Sequence, residues 1–305
     1  MFSFSLTRVG IYFSAMDVLQ SIESTYQFSR LFGTAPFIMK IINGKKIVIR
    51  NKKYFYYTAS IFFLFFIPKF YFSITFAFAE ILRIKSVWSR MTYTFDMTVY
   101  LVHIGLTPFI FLKYKELMCQ SLNRIHTLKI FNRMEEIDLN KLTKFNNFCL
   151  VYFALISAVM SLGVMFYKVL ILNDMSINII CFYLCSLIAA CMIMSSYAQF
   201  MACVNIMRFK YREINKILTS QINNQTSILT LNNLTRSDDL LKDFLNDICE
   251  IFSFNLFFCI FQTFLTTVDG VYQFFSNETI LLYFISYLLY LSLIIHLCYI
   301  TVDEV

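Results

Sequence analysis

Charge is scarce in these 305 residues: Asp, Glu, Lys and Arg make up 15%, where soluble domains run near a quarter. Catalytic signatures are missing as well. There is no G-x-G-x-x-G for a dinucleotide and no G-x-S-x-G nucleophile turn. The three histidines, His103, His126 and His296, have no HExxH or other ligand spacing around them. These absences argue against an enzyme, a cofactor and a bound metal. The nine cysteines include no CxxC pair. Cys181, Cys185, Cys191, Cys203 and Cys259 lie in apolar runs, and Cys119, Cys149 and Cys249 fall where the topology below places a reducing compartment. Cys181 and Cys185 are one helical turn apart, but a free buried cysteine acting as a small hydrophobe is the expected role.

What the chain has is apolar sequence in long runs: 58% hydrophobic and 18% aromatic residues, with mean hydropathy +0.64. A hydrocarbon core of roughly 30 Å takes about 20 helical residues. Six segments meet that length: 54–78, 91–112, 147–172, 179–207, 251–273 and 280–300. The expected fold is all-α, a polytopic membrane helix bundle over 54–305 behind an N-terminal segment 1–53, with no soluble domain of useful size.

The net charge of +7 is distributed in a way that excludes a nucleic-acid face. Met1–Lys53, Lys113–Lys144 and Arg208–Lys242 hold 21 of the 26 Lys and Arg. Lys69, Arg83, Lys85, Arg90 and Lys168 are the remainder. Basic loops that alternate along the chain mark the cytoplasmic side. Both termini are therefore expected inside, with the basic loops beside lipid headgroups. The sequon at Asn277 would lie outside but close to the membrane. Those at Asn224 and Asn233 would lie inside, where no glycan is added.

Along the chain, Arg8 and Asp17 and the lack of a small-residue cleavage site argue against a cleaved signal. Tyr12, Ala15, Met16, Leu19 and Ile22 repeat at helical spacing and predict an amphipathic helix. Gly33 and Pro36 close it. Ile38–Lys53 reads as a short basic segment with a turn at Asn43–Gly44. In the first span, Pro68 is tolerated if neighbours recover the freed backbone groups, and Lys69 is expected to snorkel to the outer interface. The second span carries Asp96, His103 and Pro108. Asp96 is an intramembrane carboxylate and so a functional candidate, with a solvated, snorkelling Asp as the alternative. His103 and His296 are expected to be hydrogen-bonded bundle residues.

The organising unit is 179–275. The apolar helix 179–207 runs without a break into polar Arg208–Leu218. After a charged stretch, Asp239–Glu250 is predicted to begin the fifth helix, with Leu240, Leu241, Phe244, Leu245 and Ile248 on one face.

Three local patterns resemble insect gustatory receptors, within the insect chemoreceptor superfamily. Tyr26–Phe37 (YQFSRLFGTAPF) resembles the family's N-terminal segment, where a Gly and a Pro follow an apolar stretch. Arg208–Leu218 resembles its Arg-Phe…Ile-Asn…Leu pattern. Leu245–Phe257 leading to Val271–Phe275 resembles the approach to its fifth helix, with Asn255 present and the family's Phe-Gly absent. The resemblance spans about 26–305.

The resemblance implies a tastant-gated cation channel in the plasma membrane of a chemosensory neuron. Its subunits would assemble as homo- or hetero-tetramers around the pore. It also implies a ligand cavity in the outer half of the bundle. The polar and aromatic residues placed there are Tyr93, Asp96, Tyr100, Tyr167, Tyr183, Thr267, Tyr283 and Tyr287. Aromatic walls with a few polar groups suit a small organic tastant; interfacial anchoring is the alternative for each Tyr. The family's seventh helix, with its Thr-Tyr…Gln signature, has no counterpart here. The sequence runs from His296-Leu297-Cys298 to Asp303-Glu304-Val305. These 305 residues alone are therefore expected not to form a pore, which leaves a non-conducting or regulatory receptor product as the alternative. A G-protein-coupled receptor conflicts with the charge bias and the helix count, and lacks Asp-Arg-Tyr after the third helix. A transporter would show paired intramembrane charges in repeats, and none are present.

Overall fold

The computed structural model describes residues 18–42, 45–51, 53–83, 87–127, 136–166, 177–222, 228–275 and Ser292. Tyr12, Ala15 and Met16 lie outside them. Leu19 and Ile22, from the same predicted stripe, are fully buried. They sit on α1 (Val18–Ser21) and at the junction with α2 (Glu23–Leu31). Gly33 ends α2 with φ 75°. Thr34 N–H donates to Ser29 O at 3.0 Å and Gly33 N–H to Arg30 O at 3.2 Å. This paired closure needs a residue in the left-handed region, which glycine adopts without a Cβ penalty.

The stretch expected to be a short basic segment with a turn is a β-hairpin. Strand β1 (Phe37–Ile42) pairs antiparallel with β2 (Lys45–Arg50), from Phe37↔Arg50 to Ile42↔Lys45. The turn predicted at Asn43–Gly44 falls outside the described residues. The physical reason is β-branched content: Ile38, Ile41, Ile42, Ile47, Val48 and Ile49 flank an Asn-Gly pair, a hairpin pattern. The all-α expectation holds for the bundle and fails here. Asn123, on the helix Lys115–Thr127, clamps the hairpin from the side: Val48 N–H donates to its Oδ1 at 2.9 Å, and its Nδ2 donates to Val48 O at 2.9 Å.

The first membrane helix is α3 (Tyr54–Ile61), a π-helical turn (Phe62–Phe66) and α4 (Ile67–Arg83), continuous in direction. Pro68 has no N–H to give the carbonyl one turn earlier. The wider turn that precedes it is a known way of absorbing such a break. Opposite it on α5 (Val87–Lys113), Gly105 lets the Phe66 ring approach; a Cβ there would meet that ring at 2.9 Å. The chain continues as α6 (Lys115–Thr127), α7 (Glu136–Phe166), α8 (Ile177–Ile222) and α9 (Ile228–Phe275).

Four helices among the described residues are long and apolar enough to cross a membrane, with spans at Tyr54–Thr75, Arg90–Lys113, Ile180–Thr219 and Asn232–Gln262. They overlap the first, second, fourth and fifth expected segments; the third of them runs on past 207, and the last begins before 251, so each takes in part of an expected helical extension beyond the span. The third expected span, 147–172, is helical through Phe166 on α7. The sixth, 280–300, lies outside the described residues except Ser292, which hydrogen-bonds Tyr152 of α7 at 3.3 Å. Phe63, Leu64, Tyr71, Phe95, Leu155 and Phe264 are all exposed. Monomers in water rarely show so much contiguous apolar surface, whereas a membrane bundle requires it.

Inside the bundle, α7 lies along α8, and α9 packs on α5, α6 and α8. Phe252 of α9 is the aromatic centre, with Phe111 at 5.5 Å and Phe200 at 5.7 Å between ring centroids. Asn205 Nδ2 donates to Asn146 Oδ1 at 2.8 Å, and Asn146 donates to Ser21 O at 3.2 Å, so α8, α7 and α1 share one buried polar chain. The predicted helical extension at Asp239–Glu250 is the middle of α9, not its start. Leu241, Phe244 and Ile248 of its apolar face are buried, while Leu245 points outward. Arg124 of α6 reaches Asp247 at 3.4 Å and Asp243 at 3.9 Å, and Ser121 donates to Asp247.

The cysteines described are all free thiols. Burial pushes the Cys119 thiol up to about 11. It is therefore protonated, and only thiolate is alkylated. At pH 8 roughly one thiol in a thousand is ionised, so N-ethylmaleimide should leave Cys119 unmodified in the native protein while labelling exposed Cys249. Mass spectrometry of peptides checks this; rapid labelling of Cys119 at pH 8 would contradict the burial.

Candidate ligand cleft

Three helices meet around a narrow, partly open cleft within the apolar part of the bundle. Helix α8 supplies Ile193, Met194 and Tyr197, α5 supplies Tyr100, and α9 supplies Cys259 and Gln262. The residues face one space because 193 and 197, and 259 and 262, are each about one helical turn apart. Met and Ile give an apolar wall, and Tyr100, Tyr197 and Gln262 give polar groups that orient a guest.

Beside the cleft is a buried polar cluster. The His103 ring centroid is 6.5 Å from that of Tyr197 and 5.5 Å from that of Phe258. The Thr107 hydroxyl lies 2.9 Å from Asn255 Oδ1 and 2.7 Å from His103 O, and Tyr197 donates to Asn255 O at 3.5 Å. The His103 ring and Asn255 are fully buried, and the side-chain amides of Asn255 and Gln262 are the hydrogen-bonding groups beside the ring.

Lys69 departs from its expected place. It was expected to snorkel outward, yet it is 2% exposed. Its position on α4 faces α8, and the side chain turns inward. Its Nζ donates to Ser186 Oγ, lies 3.7 Å from the centre of the Phe182 ring and is 5.7 Å from that of Tyr100. Tyr100 in turn donates to Ser186 O at 3.5 Å. No carboxylate forms an ion pair with Lys69 among the described residues.

Of the eight predicted site residues, Tyr100 lines the cleft. Asp96 is half-buried one turn before it on α5, Tyr183 is half-buried near the start of α8, and Thr267 is half-buried on α9. Position 93 is helical within α5, with its side chain outside the description; Tyr167, Tyr283 and Tyr287 fall outside the described residues. Sequence reasoning missed Tyr197, Gln262, Asn255 and the inward turn of Lys69. A polar residue among the apolar ones of a span was the available signal for Gln262, Asn255 and Lys69.

A second narrow cleft lies between the π-helical turn, α5 and α8. Phe62, Phe66, Ile104, Pro108 and Met192 make it wholly apolar where they line it, so it has nothing to orient a ligand. No family model matches the chain, and no curated protein matches it.

Proposed function

We propose that the protein is a chemosensory receptor subunit of the insect gustatory type, in which a small tastant occupies the Tyr100–Tyr197 cleft and gates a cation current. One observation carries the reading: the two helices that form most of the cleft are also the longest among the described residues. Helix α8 has 46 residues and α9 has 48, about 70 Å each at 1.5 Å per residue, against a hydrocarbon core of about 30 Å. A ligand that changes their packing in the span also moves the part that projects beyond it. Ligand binding that is tighter in one packing than the other shifts the population.

The remaining parts of the proposal follow the sequence resemblance. The subunit sits in the plasma membrane of a chemosensory neuron, both termini are cytoplasmic, and it works in a homo- or hetero-tetramer with related subunits. Recording tastant-evoked current from cells that express it, alone and with a second chemoreceptor subunit, tests the function. A saturable current that is lost with Tyr197→Ala supports it. Silence in every combination, with surface expression verified, overturns the channel reading.

Topology has its own expected outcome. Asn233 is exposed on α9, yet it should carry no glycan, because the proposed arrangement puts it in the cytoplasm. A glycosidase-sensitive mass shift that disappears with Asn233→Gln would reverse the orientation.

A further inference from the structure

The β1–β2 hairpin has two edges, and α6 covers one of them. Val48 N–H and C=O are both bonded to the Asn123 amide, so they point away from β1. Opposite residues of an antiparallel ladder exchange both backbone bonds or neither, and the two kinds of pair alternate. Val48 pairs with Met39, so Met39 also turns its N–H and C=O outward, on the other side of the sheet. Ile41, two residues on, does the same. The 3.3 Å bond from Asn51 N–H to Pro36 O has the phase this requires, one step beyond the Phe37–Arg50 pair. The outward backbone groups of Met39 and Ile41 have no partner among the described residues. Ile41 is 73% exposed, and Lys40 and Ile42 are exposed on either side of it. Hydrocarbon does not tolerate an open strand edge, so this one stands in water, outside the span that begins at Tyr54.

Charge selects what can pair there. Lys40, Lys46 and Lys45 occupy the far half of the hairpin, in register with Ile47, Ile41 and Ile42, and residues 37–50 contain no acid. The ion pair of Arg50 with Glu116 lies at the root, which leaves Lys40 without one among the described residues. A second copy of the chain would bring the same lysines, and like charges facing each other across strands are destabilising. Residues 1–16 of this chain carry Arg8 and no acid.

We propose that the outer edge of β1 is a docking site for an acidic, extended segment of another protein, which adds to the hairpin as a third strand. Backbone bonds to Met39 and Ile41 hold it, and the lysines choose its sign. This docking is independent of whether the protein conducts.

The test uses the full chain in phosphatidylcholine nanodiscs and the labelled peptide acetyl-EVTVEV-amide, read by fluorescence anisotropy. The peptide should bind saturably, and acetyl-KVTVKV-amide at least about ten-fold more weakly. Lys40→Glu, at an exposed position, should reverse that preference. Two further peptides separate strand addition from simple charge attraction. One is N-methylated at its valines, the other at its Glu and Thr residues, and these two sets of N–H groups point to opposite edges of a strand. One set should lose binding by about ten-fold or more while the other keeps it. Equal binding or equal loss by the two methylated peptides overturns the proposal, as does equal binding of the acidic and basic peptides. Failure of the acidic peptide to bind up to about 1 mM overturns it too. If binding then appears on deletion of residues 1–16 or 301–305, the edge belongs to a segment of this chain and not to a partner.

Discussion

Phe252→Ala is expected to cost about 3–5 kcal/mol of stability and to lower the unfolding midpoint of the purified protein by several degrees. Phe252 is 1% exposed and stands between Phe111 of α5 and Phe200 of α8. Truncation removes the ring and leaves a cavity that three rigid helices cannot close together, and the cavity term is what raises the cost above simple transfer. In lipid the solvent-transfer part is smaller, because acyl chains are as apolar as a core, so packing carries more of the loss. Phe252→Leu keeps most of the volume and should cost less than about 1.5 kcal/mol. Differential scanning fluorimetry in detergent reads both. A midpoint for Phe252→Ala within error of the unaltered protein would mean that α9 is not held by this contact.

Tyr26→Ala should release the N-terminal segment from the bundle, with a cost of comparable size. Tyr26 is 2% exposed and joins three parts of the fold. It lies on α2, its ring centroid is 4.7 Å from that of Phe37 on β1, and its hydroxyl is 3.4 Å from Cys203 Sγ on α8. The ring supplies most of the contribution. The hydroxyl–thiol contact is a weak hydrogen bond, so Tyr26→Phe should lose less than about 1 kcal/mol. The same burial raises the phenol's pKa well above its ordinary value. A raised phenol stays neutral through the physiological range, and its contribution is lost only as pH climbs past the ordinary tyrosine value toward the raised one. Limited proteolysis should cut Tyr26→Ala within residues 18–50 far faster than the unaltered chain, while Tyr26→Phe stays resistant. Equal cutting of all three would show that the segment is held elsewhere.

Much of the architecture was legible because it depends on long averages. Twenty apolar residues in a row survive any local misjudgement. The stripe of Leu19 and Ile22 was readable because a helix repeats it. The hairpin was not read, although Ile38 to Ile49 held the β-branched residues that form it, because the Asn-Gly turn was weighed without its flanks. Lys69 shows a different limit. Side-chain length says that a lysine can reach the interface, but only the helix's rotation about its axis says whether it does. Here α4 presents it to Ser186 and Phe182. Tyr197 was hidden for the same reason: an all-round apolar helix has no sequence signal for which face meets the cleft.

The clamp of Asn123 on Val48 has a consequence for how the hairpin moves. A two-stranded sheet is marginal by itself, and here a side-chain amide stands in for part of a third strand, using one donor and one acceptor. The same helix, α6, is tied to α9 through Ser121 and Arg124 on Asp247. The hairpin is therefore joined to α9 by a polar linkage on α6: of the parts of the chain outside the long helices, it is the one whose position reports where Asp247 stands, so labels on Lys40 and Ile49 are expected to change their separation from the bundle when Asp247→Ala cuts the link.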